Sequence, residues 1–381
     1  MSQKTLNDEQ CQEALDYYAQ YGTKAEAARQ IGLQINTFKH RLSEAIARDL
    51  TPQIDDSQGF TQIDNGQVIG TSTQFDGNGR IRQQWVKEKP EETDRQEKVK
   101  AWLEGMKAEI PRAAAVKLPP DWNESLMVAY PVGDHHLGMY AWQEETGADY
   151  DIEIAENLLY RAMRYLVDKS PSASVALIPL LGDFLHYDSM ESVTPQSRNQ
   201  LDSDTRFPVV VRAAIRAIRF LISEALKKHG QVRLIIEIGN HDTASSIWLM
   251  EALDALYENE PRVTVDTSPK HFHFFCFGKV LIATHHGHKV KAKDLPLLLA
   301  TDAPAEWGET DYRYWYTGHI HHETKAEYGG AVVESFRVLA PQDAWHHTSG
   351  YRALPDMKSI VLHKEYGEQG RNIVSPGMLS D

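Results

Sequence analysis

The chain has 381 residues, of which 41% are hydrophobic and 25% charged, an ordinary globular composition with room for one large domain and something smaller. The formal net charge of −14 argues against a chain that coats nucleic acid by bulk electrostatics, although a local basic face or bound cations would still attract phosphate. With only Cys11 and Cys276, a disulfide framework is not expected and a thiolate zinc site is excluded. The polar start "MSQKTLNDEQ" lacks the apolar core of a signal peptide. No apolar run approaches the ~18 residues of a membrane span, so a cytoplasmic protein is expected.

Taken in chain order, three regions differ in texture: 1–50, 51–122 and 123–381. The first is helical in pattern. "LNDEQCQEALDYYAQYG" stops at Gly22, and "TKAEAARQIG" and "LQINTFKHRLSEAIAR" follow. Ala25, Ala28 and Ile31 are expected to form an apolar face, Gly32 a tight turn, and Leu33, Phe38 and Leu42 the packing side of a third helix. This arrangement resembles the helix-turn-helix of DNA-binding and transposase-type proteins, which would present Asn36, Lys39, His40 and Arg41 to DNA. A plain three-helix bundle is the competing reading. The second region reads as a connector, with a hairpin turning at Asp76-Gly77-Asn78-Gly79 and a charged helix in "KPEETDRQEKVKAWLEGMKAEI".

The third region alternates apolar runs with amphipathic stretches, as an α/β domain does. Pro179 inside "VALIPLL" predicts a bulge or an early strand end. Each of five apolar runs leads into a polar cluster. "LMVAYPV" precedes "GDHHLG", "VALIPLL" precedes "GDFLHYD", and "VRLIIEI" precedes "GNHD". "KVLIAT" precedes "HHGH", and "RYWYT" precedes "GHIHH". In an α/β sheet the carboxyl ends of strands share one rim, so these Asp, Asn and His side chains are expected to meet around one point. Such an oxygen and nitrogen donor set suits Mn²⁺, Fe or Zn²⁺, and its size suits two ions sharing a carboxylate.

Asp-x-His-x-Gly, Gly-Asp, Gly-Asn-His, His-Gly and Gly-His-x-His, in that order, resemble the calcineurin-like metallophosphoesterase superfamily over about residues 125–370. The resemblance implies a four-layer αββα sandwich. It places Asp134, His136 and His321 on one ion and Asn240, His286 and His319 on the other, with Asp183 bridging. A hydroxide between two divalent ions, Mn²⁺ first and Fe or Zn²⁺ as alternatives, would be the nucleophile. His241 would contact the phosphate. His186 follows Asp183 by three residues, as in nucleases similar to the SbcD-type repair enzymes, and is expected either to take part in cleavage or to support the bridging Asp183. His285 is expected to be structural, as are His271 and His273, while His135 and His322 are surplus to the pattern.

The resulting expectation is a dinuclear-metal phosphoesterase acting on DNA as a nuclease. The alternatives are a phosphomonoesterase or nucleotide phosphodiesterase, and a DNA-binding protein without hydrolysis. DNA is the expected partner, possible homodimers follow from the helix-turn-helix, and no membrane is involved. The architecture resembles bacteriophage or prophage proteins, which would place it in a bacterial host cytoplasm. The polar stretch "MESVTPQSRNQLDSDTRFP" is either a solvated loop or a lid offering Arg198 and Arg206 to phosphate.

Overall fold

The computed structural model describes residues 6–21, 23–48, 50, 67–75, 81–89, 116–348, 350 and 352–379. The chain divides into two compact units, 1–110 and 111–381. The first contains helices α1 (Asp8–Tyr21), α2 (Lys24–Gln30) and α3 (Ile35–Ala47). The Thr23 side chain caps α2 by accepting from the Glu26 N–H, and Gly32 makes the turn to α3 at φ 77°. Cys11, Ala14, Leu15, Ala27, Ala28, Phe38, Leu42 and Ala45 form the core of this bundle. Ala25 is exposed, which corrects the expected apolar face: Ala28 is buried as expected, and Ala27 turns inward in place of Ala25. Strands β1 (Gln67–Phe75) and β2 (Ile81–Lys89) pair antiparallel, while the turn between them and the expected charged helix lie outside the described residues.

The second unit holds two stacked sheets. One has the order β13-β12-β3-β4-β5-β6, the other β10-β11-β9-β8-β7. The first sheet is built from β3 (Asn123–Ala129), β4 (Ala173–Leu180), β5 (Gln231–Ile236), β6 (Val263–Val265), β12 (Met357–His363) and β13 (Gly367–Val374). The second comprises β7 (His273–Phe277), β8 (Val280–His285), β9 (Tyr312–Thr317), β10 (Thr324–Tyr328) and β11 (Ala331–Ser335).

Strand periodicity explains why both faces of the second sheet are covered. Val280, Ile282, Tyr314 and Tyr316 enter the core between the sheets, against Met127, Ala129, Leu177 and Ile235 of the other sheet. The alternate residues Leu281, Ala283 and Trp315 face outward onto Leu295, Leu299 and Ala303. Those residues belong to or flank helices α7 (Leu295–Asp302) and α8 (Pro304–Glu309). Helices α4 (Ile152–Lys169) and α5 (Phe207–Leu226) pack on the outer face of the first sheet, and α6 (Thr243–Tyr257) packs against β6. The result is the expected αββα layering.

Pro179 does not end or bulge β4, contrary to expectation. The β4–β5 register runs unbroken through Pro179↔Ile235 to Leu180↔Ile236. The registered β3 partners of β4 stop at Leu177, so one missing donor on that side is tolerated, and the Pro179 carbonyl still accepts from the Val132 N–H.

Candidate metal centre

β3, β4 and β5 are mutually parallel, as are β8 and β9, so their carboxyl ends open onto the same rim. The five polar clusters begin where these strands end. Four of the five non-glycine residues with positive φ among the described residues are His136 (49°), Asp183 (49°), His319 (70°) and His321 (55°). Each such backbone costs on the order of 1–3 kcal/mol and persists where surrounding contacts over-determine it. The strained positions therefore coincide with expected ligands.

Glycines make the approach possible. A side chain at Gly182 would place its Cβ 2.5 Å from His286 Nδ1, and one at Gly318 would meet Asp134 Oδ2 at 3.0 Å.

Asp134, His136, Asp183 and His286 are all essentially buried. Asp134 accepts from the His319 N–H at 2.7 Å and lies 3.8 Å from His321 Nε2. His136 Nε2 faces His321 Nε2 at 3.2 Å. His286 Nδ1 donates to the Leu181 carbonyl at 2.8 Å, which directs Nε2 toward Asp183 Oδ2 at 3.2 Å and Asn240 Oδ1 at 2.9 Å. The ring of His319 lies 4.9 Å from that of His286. All seven expected ligands thus converge.

The donor chemistry fits divalent cations. Opposed imidazole nitrogens and neighbouring buried carboxylates are mutually unfavourable unless protons or cations lie between them. Burial pushes the Asp134 carboxyl up to about 7, with Asp183 adding to it. Burial works to raise the Asp183 carboxyl, but His286, joined by His241 and His136, holds it well below its ordinary range. Burial, then His241, His321 and His186, holds the His136 imidazole far below its usual value, so it offers a lone pair. His136 with His186 and His241, and Asp183 with His286 and His319, each bring their ligating atoms within 4.8 Å of one another.

The structure seats both expected catalytic imidazoles against His136. His186 Nδ1 is 3.2 Å from His136 Nδ1, and the rings of His136 and His241 are 4.9 Å apart. His241 donates through Nδ1 to the His186 carbonyl at 2.8 Å, and its backbone N–H donates to Asp183 Oδ1 at 2.8 Å. His285 turns away and bonds the His271 carbonyl at 3.0 Å. His273 bonds Glu237 at 2.8 Å. His135 packs against Phe184 and Tyr150, and His322 bonds the Ile320 carbonyl within its own loop.

Two contributors escaped sequence reasoning although they lie inside quoted motifs. Asp242 is fully buried and accepts from the N–H groups of Asp183, Leu185 and Gly239 at 3.1–3.2 Å, tying two of the loops together. His288 stands 5.1 Å from the His286 ring and 6.0 Å from that of His319.

In the N-terminal bundle, Asn36, Lys39 and His40 are exposed on α3, whereas Arg41 turns onto α1 with Nη1 3.6 Å from Glu13. Arg198 is ion-paired with Glu191 inside its own loop, so of the two arginines only Arg206 is exposed without that engagement.

No family model and no curated protein matches the chain. Solved structures do. A predicted phosphoesterase from Streptococcus pneumoniae is 10% identical, with 66% of this chain and 99% of that one covered and a TM-score of 0.27. Vacuolar protein sorting 29 from Cryptosporidium parvum is 13% identical, covering 67% and 97%, with a TM-score of 0.31. Vps29 complexed with Zn²⁺ from Entamoeba histolytica is 12% identical, covering 65% and 98%, with a TM-score of 0.27. At such distance the matches carry no argument about chemistry, which rests on the residues themselves.

Proposed function

We propose that this chain is a dinuclear-metal-dependent phosphoesterase that hydrolyses phosphodiester bonds in DNA. The observation that carries the hydrolase reading is the convergence of Asp134, His136, Asp183, Asn240, His286, His319 and His321 at one rim, four of them on left-handed backbone. Asp134, His136 and His321 would hold one ion, and Asn240, His286 and His319 the other, with Asp183 between. Bound divalent ions supply a water of lowered pKa and offset charge on the phosphoryl oxygens.

The remaining steps belong to the chain. His241 is oriented at Nδ1 by the His186 carbonyl, so Nε2 is its substrate-facing nitrogen. Protonated there, it donates to the leaving oxygen and becomes neutral while Nδ1 keeps its proton on the carbonyl. His186 braces both His136 and His241.

Two features support DNA over a small monoester. Lys289, Lys291 and Lys293 are exposed on the segment that leaves His286 and His288, a local basic strip on an acidic chain. The N-terminal bundle exposes Asn36, Lys39 and His40 on its third helix, the face a helix-turn-helix offers to the major groove. Its reach through the connector would raise the local concentration of DNA at the rim.

The test gives metal-stripped protein Mn²⁺ and compares single-stranded DNA, duplex DNA, and chromogenic phosphate mono- and diesters, with Asp183→Asn as control. Mn²⁺-dependent DNA cleavage absent from the control is expected. Monoester turnover with intact DNA would leave a phosphatase and remove the nuclease.

A further inference from the structure

The Gly318–Glu323 segment carries two expected ligand imidazoles on unfavourable backbone, His319 at φ 70° and His321 at φ 55°. Something must hold it in place. Its entry is fixed by the Gly318 N–H on the His286 carbonyl at 3.0 Å and the His319 N–H on Asp134 at 2.7 Å. Its exit is fixed by charge. Lys358, on β12 and 1% exposed, sets its ammonium 2.7 Å from Glu323 Oε2. Arg337 approaches the same oxygen at 3.7 Å and donates to Asp356 at 2.7 Å.

An ammonium is strongly hydrated and is rarely buried unless it is paired. The other carboxylate near Lys358 is Glu334, 4.0 Å away, and it does not depend on the lysine. Arg371 grips Glu334 with two hydrogen bonds of 2.7 and 3.1 Å, and Lys325 stands 3.6 Å off. Arg371 and Lys325 also hold Glu368. The network balances four cations, Lys325, Arg337, Lys358 and Arg371, against four carboxylates, Glu323, Glu334, Asp356 and Glu368. Within it, the partner for which Lys358 is best placed is Glu323, two residues beyond His321.

We propose that Lys358 is a positioning residue for the metal centre: through Glu323 it anchors the exit of the Gly318–Glu323 segment and so sets the affinity for the ion that His321 holds. This rests on reading His319 and His321 as ligands. The lysine touches neither ion nor substrate. Its removal leaves Glu323 with Arg337 and Glu334 with Arg371, so Lys358→Met, of similar volume, retains the fold.

The experiment uses the full chain and Mn²⁺ alone as probe. Calorimetric titrations compare wild type, Lys358→Met, Glu323→Gln, the double variant and Lys358→Arg. Hydrogen exchange of the metal-free proteins is read in parallel. Lys358→Met and Glu323→Gln each weaken one of two Mn²⁺ binding events about 10–100-fold, the range for groups that orient ligands from behind. The double variant is no weaker than the weaker single one, because both changes remove the same pair. Lys358→Arg recovers most of the loss. Exchange accelerates within 318–323 while β3 and β4 stay protected. Mn²⁺ affinity within twofold of wild type, additive losses in the double variant, or unchanged exchange at 318–323 would overturn the proposal. Wild type that takes up no Mn²⁺ would instead sink the metal reading, and exchange at 318–323 would then decide alone whether Lys358 anchors the segment. If Lys358→Met does not fold, Glu323→Gln, at a partly exposed side chain, carries both measurements.

Discussion

His273 on β7 and His286 just beyond β8 are both buried imidazoles beside buried carboxylates, in neighbouring strands of one sheet. Their proton inventories differ. His273 donates from Nδ1 to Glu237 at 2.8 Å and from Nε2 to the Ser268 carbonyl at 3.0 Å. Thr284 adds a hydroxyl to the same Glu237 oxygen at 2.5 Å. Burial works against its charge, but Glu237 prevails and the imidazole titrates above its ordinary value. One cation thus meets one anion, and both ring nitrogens are satisfied by protein. His286 spends Nδ1 on the Leu181 carbonyl and turns Nε2 to Asp183 and Asn240, with Asp134 3.3 Å from Nδ1. Two carboxylates and several lone pairs then surround a single ring. A ring that faces one carboxylate is structural, whereas one that faces two carboxylates and further lone pairs calls for a cation from outside.

That contrast can be broken from both sides. On the electron-rich side, under the proposed function Asp183→Asn removes the carboxylate proposed to be shared and lowers phosphoesterase turnover on the order of a thousandfold or more, with an unchanged near-ultraviolet spectrum. His241→Asn costs about a hundredfold or more in kcat with little change in Mn²⁺ affinity, since it removes proton donation rather than a ligand. Equal loss of metal affinity would make His241 a ligand instead. On the completed side, His273→Gln leaves Glu237 buried without its cation and destabilises the domain by about 3 kcal/mol in urea titration, while Mn²⁺ binding is unaffected.

The remaining effect is one of pH. The raised folded-state value of His273 gives stability that is complete below the unfolded value near ~6.5 and is lost as pH rises through the folded one. His229 behaves oppositely. It is fully buried against the Tyr130 hydroxyl at 2.7 Å, and burial, helped by Lys228, holds it down at about 4. Its unfolded form takes up a proton first, so stability falls as pH drops from ~6.5 toward 4, by up to roughly 3 kcal/mol. His229→Gln lowers the slope of that acid limb, to which His135 and His285, held at about 4 by burial, also contribute, and leaves the alkaline side alone. An acid limb of unchanged slope would contradict the assignment.

The five rim clusters were legible in the sequence because each places its ligands within a few residues of a strand end, where local order already implies convergence. The choice of His286 over His285 came from the resemblance, in which the residue directly before glycine is the ligand, with His285 left on the opposite strand face. What escaped depends on long-range packing. Asp242 acts on Asp183 and Leu185 from the loop after β5, and Lys358 reaches Glu323 from β12, so no local pattern marks either. The strands β10–β13 are short or mixed in polarity, unlike the apolar runs that announce β4 and β8. In the helical bundle, small errors in helix phase exchange an exposed Ala25 for a buried Ala27, two positions on, and turn Arg41 onto Glu13.

The most direct measurement of the central claim is the metal content of the full chain after Mn²⁺ loading and removal of free ion, read by elemental analysis beside Asp183→Asn. Two ions per wild-type chain, with at least one lost in the variant, is the result the shared-carboxylate centre predicts. Wild-type chains that retain no ion, or a variant that retains as many as wild type, would contradict it.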